Sequence, residues 1–362
     1  MGHLKRELGM LVALIAMGAI VFMSNDKFLG LSNSGNLLRN TSMLGIYSIG
    51  MAFVIITGGI DLSLGSLIGL TGVLLAKFCA QDDPACYGWS LWVGIPLTLA
   101  IMLAIGLIQG LIITMLDLQP FIVTLAGMMI FRGVAQTIGE GGTLSIGDIP
   151  LAKLANGGFL VNHGSALISW PLIIFVLVCL FFAYLLHFTV FGRYVYAIGG
   201  NRDAAKYSGL NVKRIETMTY VISAGLAAVS GICYASYIGG MNQDVGRGYE
   251  LYAVAAAVLG GCSLRGGEGT IFGVVVGAGM YTVIYNAINM FQLKYHDAAG
   301  KLMTFRPSTN WTDWIIGIVI LIAVVLDQVA KVIQARRRIK KVAANPPAPQ
   351  APTTAVPATS GV

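Results

Sequence analysis

Charge is what this 362-residue sequence has least of. Lys, Arg, Asp and Glu together make up 11% of it, against 56% hydrophobic residues and a mean hydropathy of +0.77. Soluble domains carry about 25% charged residues. So few charges cannot cover a water-soluble globule of this length. The same numbers exclude collagen-like and disordered chains and, despite an isoelectric point of 9.1, a nucleic-acid-binding protein. Histidine is scarce: His3, His163, His187 and His296 are scattered, none at ligand spacing from a Cys or an acid, so no metal is expected. Five cysteines form no metal spacing either. Cys179 and Cys233 lie in apolar runs and read as packing residues; Cys79 and Cys86 flank one polar stretch and either pair or stay free. Absent too are the phosphate-loop pattern ending in Gly-Lys-Ser/Thr, H-E-x-x-H, G-x-S-x-G and carboxylates paired in a catalytic setting. The chain reads as a conduit rather than an enzyme, with no cofactor of its own.

What fills the sequence instead is apolar runs of membrane length. About 20 residues cross a bilayer, so the length allows roughly ten to twelve spans. The candidates are Leu8–Met23, Asn36–Thr57, Leu62–Ala80, Leu91–Leu116, Phe121–Ile138, Trp170–Phe188, Ile215–Tyr237, Leu251–Leu264, Thr270–Met290 and Trp311–Ala330. The eighth is too short to cross alone and follows the glycine-rich stretch GGMNQDVGRG (239–248). Together they read as one broken or re-entrant element, tolerated where protein or a water cavity surrounds the backbone. The expected fold is an all-α polytopic bundle of about ten transmembrane helices.

Basic residues orient it. Lys5 and Arg6 precede the first run, and Lys331, Arg336, Arg337, Arg338, Lys340 and Lys341 follow the last without an acid, which places both termini in the cytoplasm. The connection 189–214 holds Arg193, Arg202, Lys206, Lys213 and Arg214 against Asp203 alone, so it is also expected inside. Loop 291–310 disagrees, being basic yet outside by alternation. No small-residue cleavage site precedes SNDKF (24–28), so the first run is expected to remain as a span rather than leave as a signal peptide. The division is then a cytoplasmic start (1–7), a membrane domain (8–330) and a basic, then Pro/Ala-rich disordered tail (331–362).

Within 189–214 the stretch GGNRDAAKYSGLNV (199–212) has complete local helix chemistry. Asn201 suits an N-cap, Asp203 the first turn, and Ala204 and Ala205 the helix body. Lys206 and Tyr207 follow, and Gly209 supplies the left-handed stop. A short basic helix with Tyr207 exposed follows, which is either an ordinary capped connector or a docking element.

DAAKYSG (203–209) resembles the Glu-Ala-Ala, three residues, Gly loop of binding-protein-dependent ABC importer permeases, with Asp203 in place of the Glu. ITGGIDLSLGS (56–66), QPFIVTLAGMMIFRG (119–133) and VLGGCSLRGGEGTIFG (258–273) resemble the ribose/xylose-type, monosaccharide-importing branch of that superfamily. The resemblance runs from about Asn36 to Asp327. It implies a permease in a bacterial inner membrane, working beside a second permease subunit, identical or paralogous, on ABC ATPase subunits that carry ATP and Mg. A periplasmic sugar-binding protein would deliver the sugar, and lipid would surround the chain. The helix around Asn201, Asp203–Tyr207 and Gly209 would be the coupling helix that docks on the ATPase. A neutral sugar implies a path of amides, hydroxyls and aromatics, with Asn40, Tyr47, Gln109, Thr124, Tyr220, Tyr234, Asn286 and Asn289 as candidates. Fewer than half of these are expected to see the path, because most polar residues in spans bond neighbouring helices.

Three features stay open at this level. Asp61 either sits at membrane depth facing a cavity or partner, or marks a turn and caps the next helix. Arg132, twelve residues past Pro120, either pairs or snorkels, or lines the path. The glycines at 65, 69 and 72 and at 269, 273, 277 and 279 let helices approach closely, inside one subunit or at a dimer seam. Two other functional classes also fit ten spans: an ion-gradient-driven transporter of a small polar solute, with Asp61 as proton carrier, and a passive channel.

Overall fold

The structure, a computed structural model, describes residues 2–25, 27–81, 84, 86–146, 151, 154–155, 157–162, 165–291, 293–296, 302–305, 314–315, 317–318, 321 and 325. The chain divides into a unit Met1–Ile320 and a second, Leu321–Val362, of which only Leu321 and Val325 are described, both helical and exposed.

The described residues of the first unit are mainly helical: α1 (Gly2–Ser24), α2 (Leu31–Ile56), α3 (Leu64–Cys79), α4 (Leu91–Met115), α5 (Pro120–Ile138), α6 (Trp170–Phe188), α7 (Val190–Gly200), α8 (Arg202–Tyr207), α9 (Val212–Ile238), α10 (Tyr249–Leu259) and α11 (Ile271–Met290). Of these, α2, α4, α5, α6, α9 and α11 are long and apolar enough to cross a membrane, while the apolar helical stretches Leu8–Met23, α3 and α10 are shorter. The protein is a multi-pass membrane protein.

Helix signals in the sequence explain the boundaries, including those that depart from expectation. The third run is helical only from Leu64, because the Asp61 carboxylate takes the Ser63 N–H at 3.0 Å and turns the chain there. The second begins at Leu31, before the expected Asn36. The 189–214 connection holds a second helix, α7, started by Thr189, whose hydroxyl accepts from Gly192 N–H at 3.3 Å. Loop 139–169 carries β1 (Leu144–Ser145) and an antiparallel hairpin of β2 (Gly158–Asn162) and β3 (Ser165–Ser169). The tenth run lies outside the described residues except at 314–315, 317–318, 321 and 325, and so does the tail after 330.

Packing is concentric. The most apolar stretch of α2 is 89% buried, against 22% for α4 and 17% for α6. In lipid, apolar side chains gain nothing by facing inward, so the outer helices keep large apolar residues on their exposed faces as the core does inside. Leu177, Leu180 and Phe181 of α6 point outward accordingly.

The chain shuttles between two ends. At one, Gly267 N–H donates to Ile56 O (2.8 Å), the Tyr196 hydroxyl to Gly269 O (2.6 Å) and Lys213 Nζ to Met115 O (3.5 Å). At the other, Asn25 Nδ2 donates to Met290 O (3.4 Å), Ile146 N–H to Gly239 O (2.9 Å), and β1 pairs antiparallel with β4 (Gly240–Met241).

Between them lies the broken element. Gly239, at φ 74°, ends α9. Residues 240–248 then run back along α3 without helix, and α10 completes the passage. The glycines of α3 make this possible: a Cβ on Gly69 would lie 2.6 Å from Val245 O, and one on Gly65 would strike Gly246 O. On α11, Gly273 and Gly277 lie against the backbone of Gly260 and Ala256. Gly65, Gly69, Gly273 and Gly277 thus let this chain's own backbone approach closely, which is the within-subunit reading of these stripes.

Candidate coupling corner and translocation cavity

At the first end, α8 is built as its sequence prescribes. The Asn201 side chain accepts from Ala204 N–H at 2.9 Å, Asp203 lies in the first turn, and Gly209 stands at φ 83°. Asn211 restarts the chain by accepting from Arg214 N–H at 3.1 Å. Ala205 is buried against Ile198 and Val212, which seats α8 on α7 and α9. The opposite face presents Asp203, Ala204, Lys206 and Tyr207, the last 89% exposed.

Sequence reasoning missed the strongest polar link in this corner. Arg202 donates from Nε to Glu216 Oε1 (2.7 Å) and from Nη2 to Glu216 Oε2 (3.1 Å), and Nη2 also reaches Asp117 Oδ1 at 3.1 Å. The Glu216 hydrogen bond raises the guanidinium above its ordinary value, so it stays charged at any working pH. Asp117 is held at a positive φ of 52° in the α4–α5 connection. Glu216 lies 14 residues beyond Arg202, past a turn and in another helix, and Asp117 lies 85 residues before it, so no helix-local spacing announces the group.

Asp61 marks the turn ahead of α3, though the helix N-cap is Ser63 and carries no side-chain cap bond, and it is buried, 1% exposed. Its carboxylate accepts from Ser63 N–H, Ser63 Oγ (2.6 Å), Gln109 Nε2 (3.3 Å) and Ser223 Oγ (2.8 Å), tying α3, α4 and α9 together without a cation. Gln109 spends its amide there, its Oε1 also accepting from Ser63 Oγ at 3.2 Å. Thr124 donates to Ile60 O (3.2 Å), and Tyr220 faces a ≈ 240 Å³ recess beside Arg202, Glu216 and Asp117. Arg132 Nη1 donates to Gln243 O at 3.0 Å on the broken element, and its charge acts on the buried Glu250 carboxyl. Asn286 exchanges amide hydrogen bonds with Asn33 (2.9 and 3.1 Å), and Asn289 donates to Tyr285 O (2.9 Å).

A cavity of ≈ 340 Å³ opens where α2, α9, α10 and α11 meet. From α2 come Asn40, Leu44 and Tyr47; from α9, Tyr234 and Tyr237; from α10, Tyr249 and Tyr252; from α11, Tyr281, Thr282 and Tyr285. No charged side chain lines it. The rings form a continuous array: Tyr47 stacks on Tyr249 at 5.9 Å and 9°, Tyr249 meets Tyr234 at 5.0 Å and Tyr252 at 5.7 Å, and Tyr252 meets Tyr281 at 5.0 Å. Three of the eight sequence candidates, Asn40, Tyr47 and Tyr234, line it. The other tyrosines were missed because their helices carry no periodic mark of which face turns inward.

Among the described residues, no three His, Cys, Asp or Glu gather in a way that could hold a metal ion. Cys79 is a buried free thiol and so is not bridged to Cys86.

Residues 33–324 match the model of a family described as "Branched-chain amino acid transport system / permease component". Ribose import permease protein RbsC of Escherichia coli K12 is 37% identical over 280 residues, 77% of this chain and 85% of its own. RbsC of Bacillus subtilis 168 is 37% identical over 332 residues, covering 89% and 93%. Xylose transport system permease protein XylH of Haemophilus influenzae Rd is 32% identical over 374 residues, covering 88% and 95%. No solved structure matches the chain.

Proposed function

The chain belongs to the family of permease components described for branched-chain amino acid transport, and on that premise we propose that it is the inner-membrane permease subunit of an ABC importer for an uncharged monosaccharide. The family description points to amino acids, the relatives' names to sugars. The lining of the tyrosine cavity favours sugars: seven tyrosines, one Asn, one Thr and one Leu, with no charge. A zwitterionic amino acid leaving water needs partners for both charges. A sugar needs hydroxyl partners and flat apolar surfaces for its C–H faces, and phenol rings supply both. The volume falls within the range of small-molecule sites.

Energy enters at α8. Its Asp203–Lys206–Tyr207 face docks in a groove of a separate ATPase, which alone binds ATP and Mg; this chain carries no catalytic group or cofactor. The α8 end is cytoplasmic by its basic residues, and the cavity opens toward the end where a periplasmic binding protein delivers sugar. Ten crossings follow from the six long helices, α1, α3, the broken element 240–259 and the run 311–330, with both termini and the tail 331–362 inside. A second permease subunit completes the assembly.

Proteoliposomes holding the complex purified with its ATPase and binding protein test this reading. Labelled D-ribose or D-xylose should accumulate only with ATP, and L-leucine should not. Leucine uptake would falsify the substrate class. Sugar flux that persists without ATP and collapses with the proton gradient would replace the importer by the secondary-transporter reading.

A further inference from the structure

We propose that Arg202 is the positioning residue through which α8 drives α9, and that α9 carries the movement to the tyrosine cavity. The proposal rests on the coupling role given to α8 above. It starts from a mechanical difficulty. The turn between α8 and α9 runs through Ser208 and the left-handed Gly209, and Asn211 opens a new helix. Pressure on the Tyr207 face would be turned aside at this bend if the apolar seat of Ala205 on Val212 were the only contact across it.

Arg202 bridges it. Its two-pronged bond to Glu216 fixes direction as well as distance, which a single point charge does not. Asp117 is 63% exposed, but the Glu216 side chain is only 12% exposed, so the two-pronged bond anchors Arg202 on a largely buried carboxylate. A bridge of high geometric definition on a fixed anchor is what a transmitting contact requires.

Beyond Glu216, α9 is a continuous helix, and Tyr234 lies ~27 Å along it at 1.5 Å per residue. It is braced on the way. Thr217 meets Thr114 of α4 (2.9 Å), Ser223 meets Asp61 (2.8 Å), and Ser230 donates to Met43 O of α2 (2.9 Å). One cavity wall, Tyr47 with Tyr234 and Tyr237, therefore travels with α9. The facing wall, Tyr249, Tyr252 and Tyr281, stands on α10 and α11. A push delivered through Arg202 displaces the first wall against the second.

The test compares Arg202→Gln, Arg202→Lys and the exchange Arg202→Glu with Glu216→Arg, in the intact complex in proteoliposomes. The readouts are D-ribose imported per ATP hydrolysed, complex assembly by native mass, and the permease melting temperature. Arg202→Gln should assemble, hydrolyse ATP and melt as the wild type does, yet import about fivefold or more less sugar per ATP. Arg202→Lys should fall between, and the exchange should restore part of the yield. Unchanged yield in Arg202→Gln overturns the bridge while leaving the coupling role of α8 intact. A lowered melting temperature without rescue by the exchange overturns it in favour of a structural role. A wild-type chain that retains no ATPase removes the coupling reading and the bridge together.

Discussion

The coupling corner and the tyrosine cavity are opposites in construction. The corner is assembled from one stretch, 199–216, with Asp117 the one distant contributor; it is charged, capped and exposed. The cavity takes its walls from four whole helices, the consecutive α9, α10 and α11 and the remote α2, and is uncharged. The difference separates two tasks. Receiving a push from another protein needs a rigid local motif that survives on the surface. Passing a solute needs surfaces that separate, and these have to stand on different helices.

Asp61 sits between the two regions, and removing it should have the largest effect on both. Asp61→Ala strips the acceptor from Ser63, Gln109 and Ser223, and is expected to destabilise by about 3 kcal/mol, read as thermal unfolding in detergent. Asp61→Asn keeps an acceptor and should leave ATP-driven uptake working; a proton carrier would lose transport with that substitution. Uptake assays on the two variants separate a brace from a carrier.

Tyr249→Ala comes next, since that ring touches Tyr47, Tyr234 and Tyr252. Sugar import should fall about tenfold, the scale of one lost aromatic contact, while ATPase retention by native mass stays as in the wild type. Loss of the ATPase instead would erase the division between cavity and corner. The smallest expected effect is Asn201→Ala. Losing the cap on Ala204 N–H should cost about 1 kcal/mol of local helix stability, visible as faster amide exchange in α8, with cavity residues unaffected.

The two regions were also unequally legible. Asn201, Asp203 and Gly209 announce α8, because capping and left-handed stops are properties of a few consecutive residues. Asn40, Tyr47 and Tyr234 were reached only as polar residues in apolar runs, alongside Gln109, Thr124 and Asn286, which bond neighbouring chain instead. Composition cannot separate these groups, because an amide that braces and one that meets solute look alike until its partner is known.

By itself the sequence determined the membrane class, most of the long helices, the capped α8 and the break before α10. Each follows from short-range chemistry: hydropathy over about 20 residues, side-chain caps, and glycines that permit positive φ. Tertiary structure alone decided that the α3 glycines seat backbone 240–248, that Arg202 reaches Glu216 and Asp117, and that seven tyrosines share one cavity. In lipid the apolar periodicity that betrays the inner face of a soluble helix is missing, so the rotation of each helix, and with it every long-range partnership, is set only when the bundle packs.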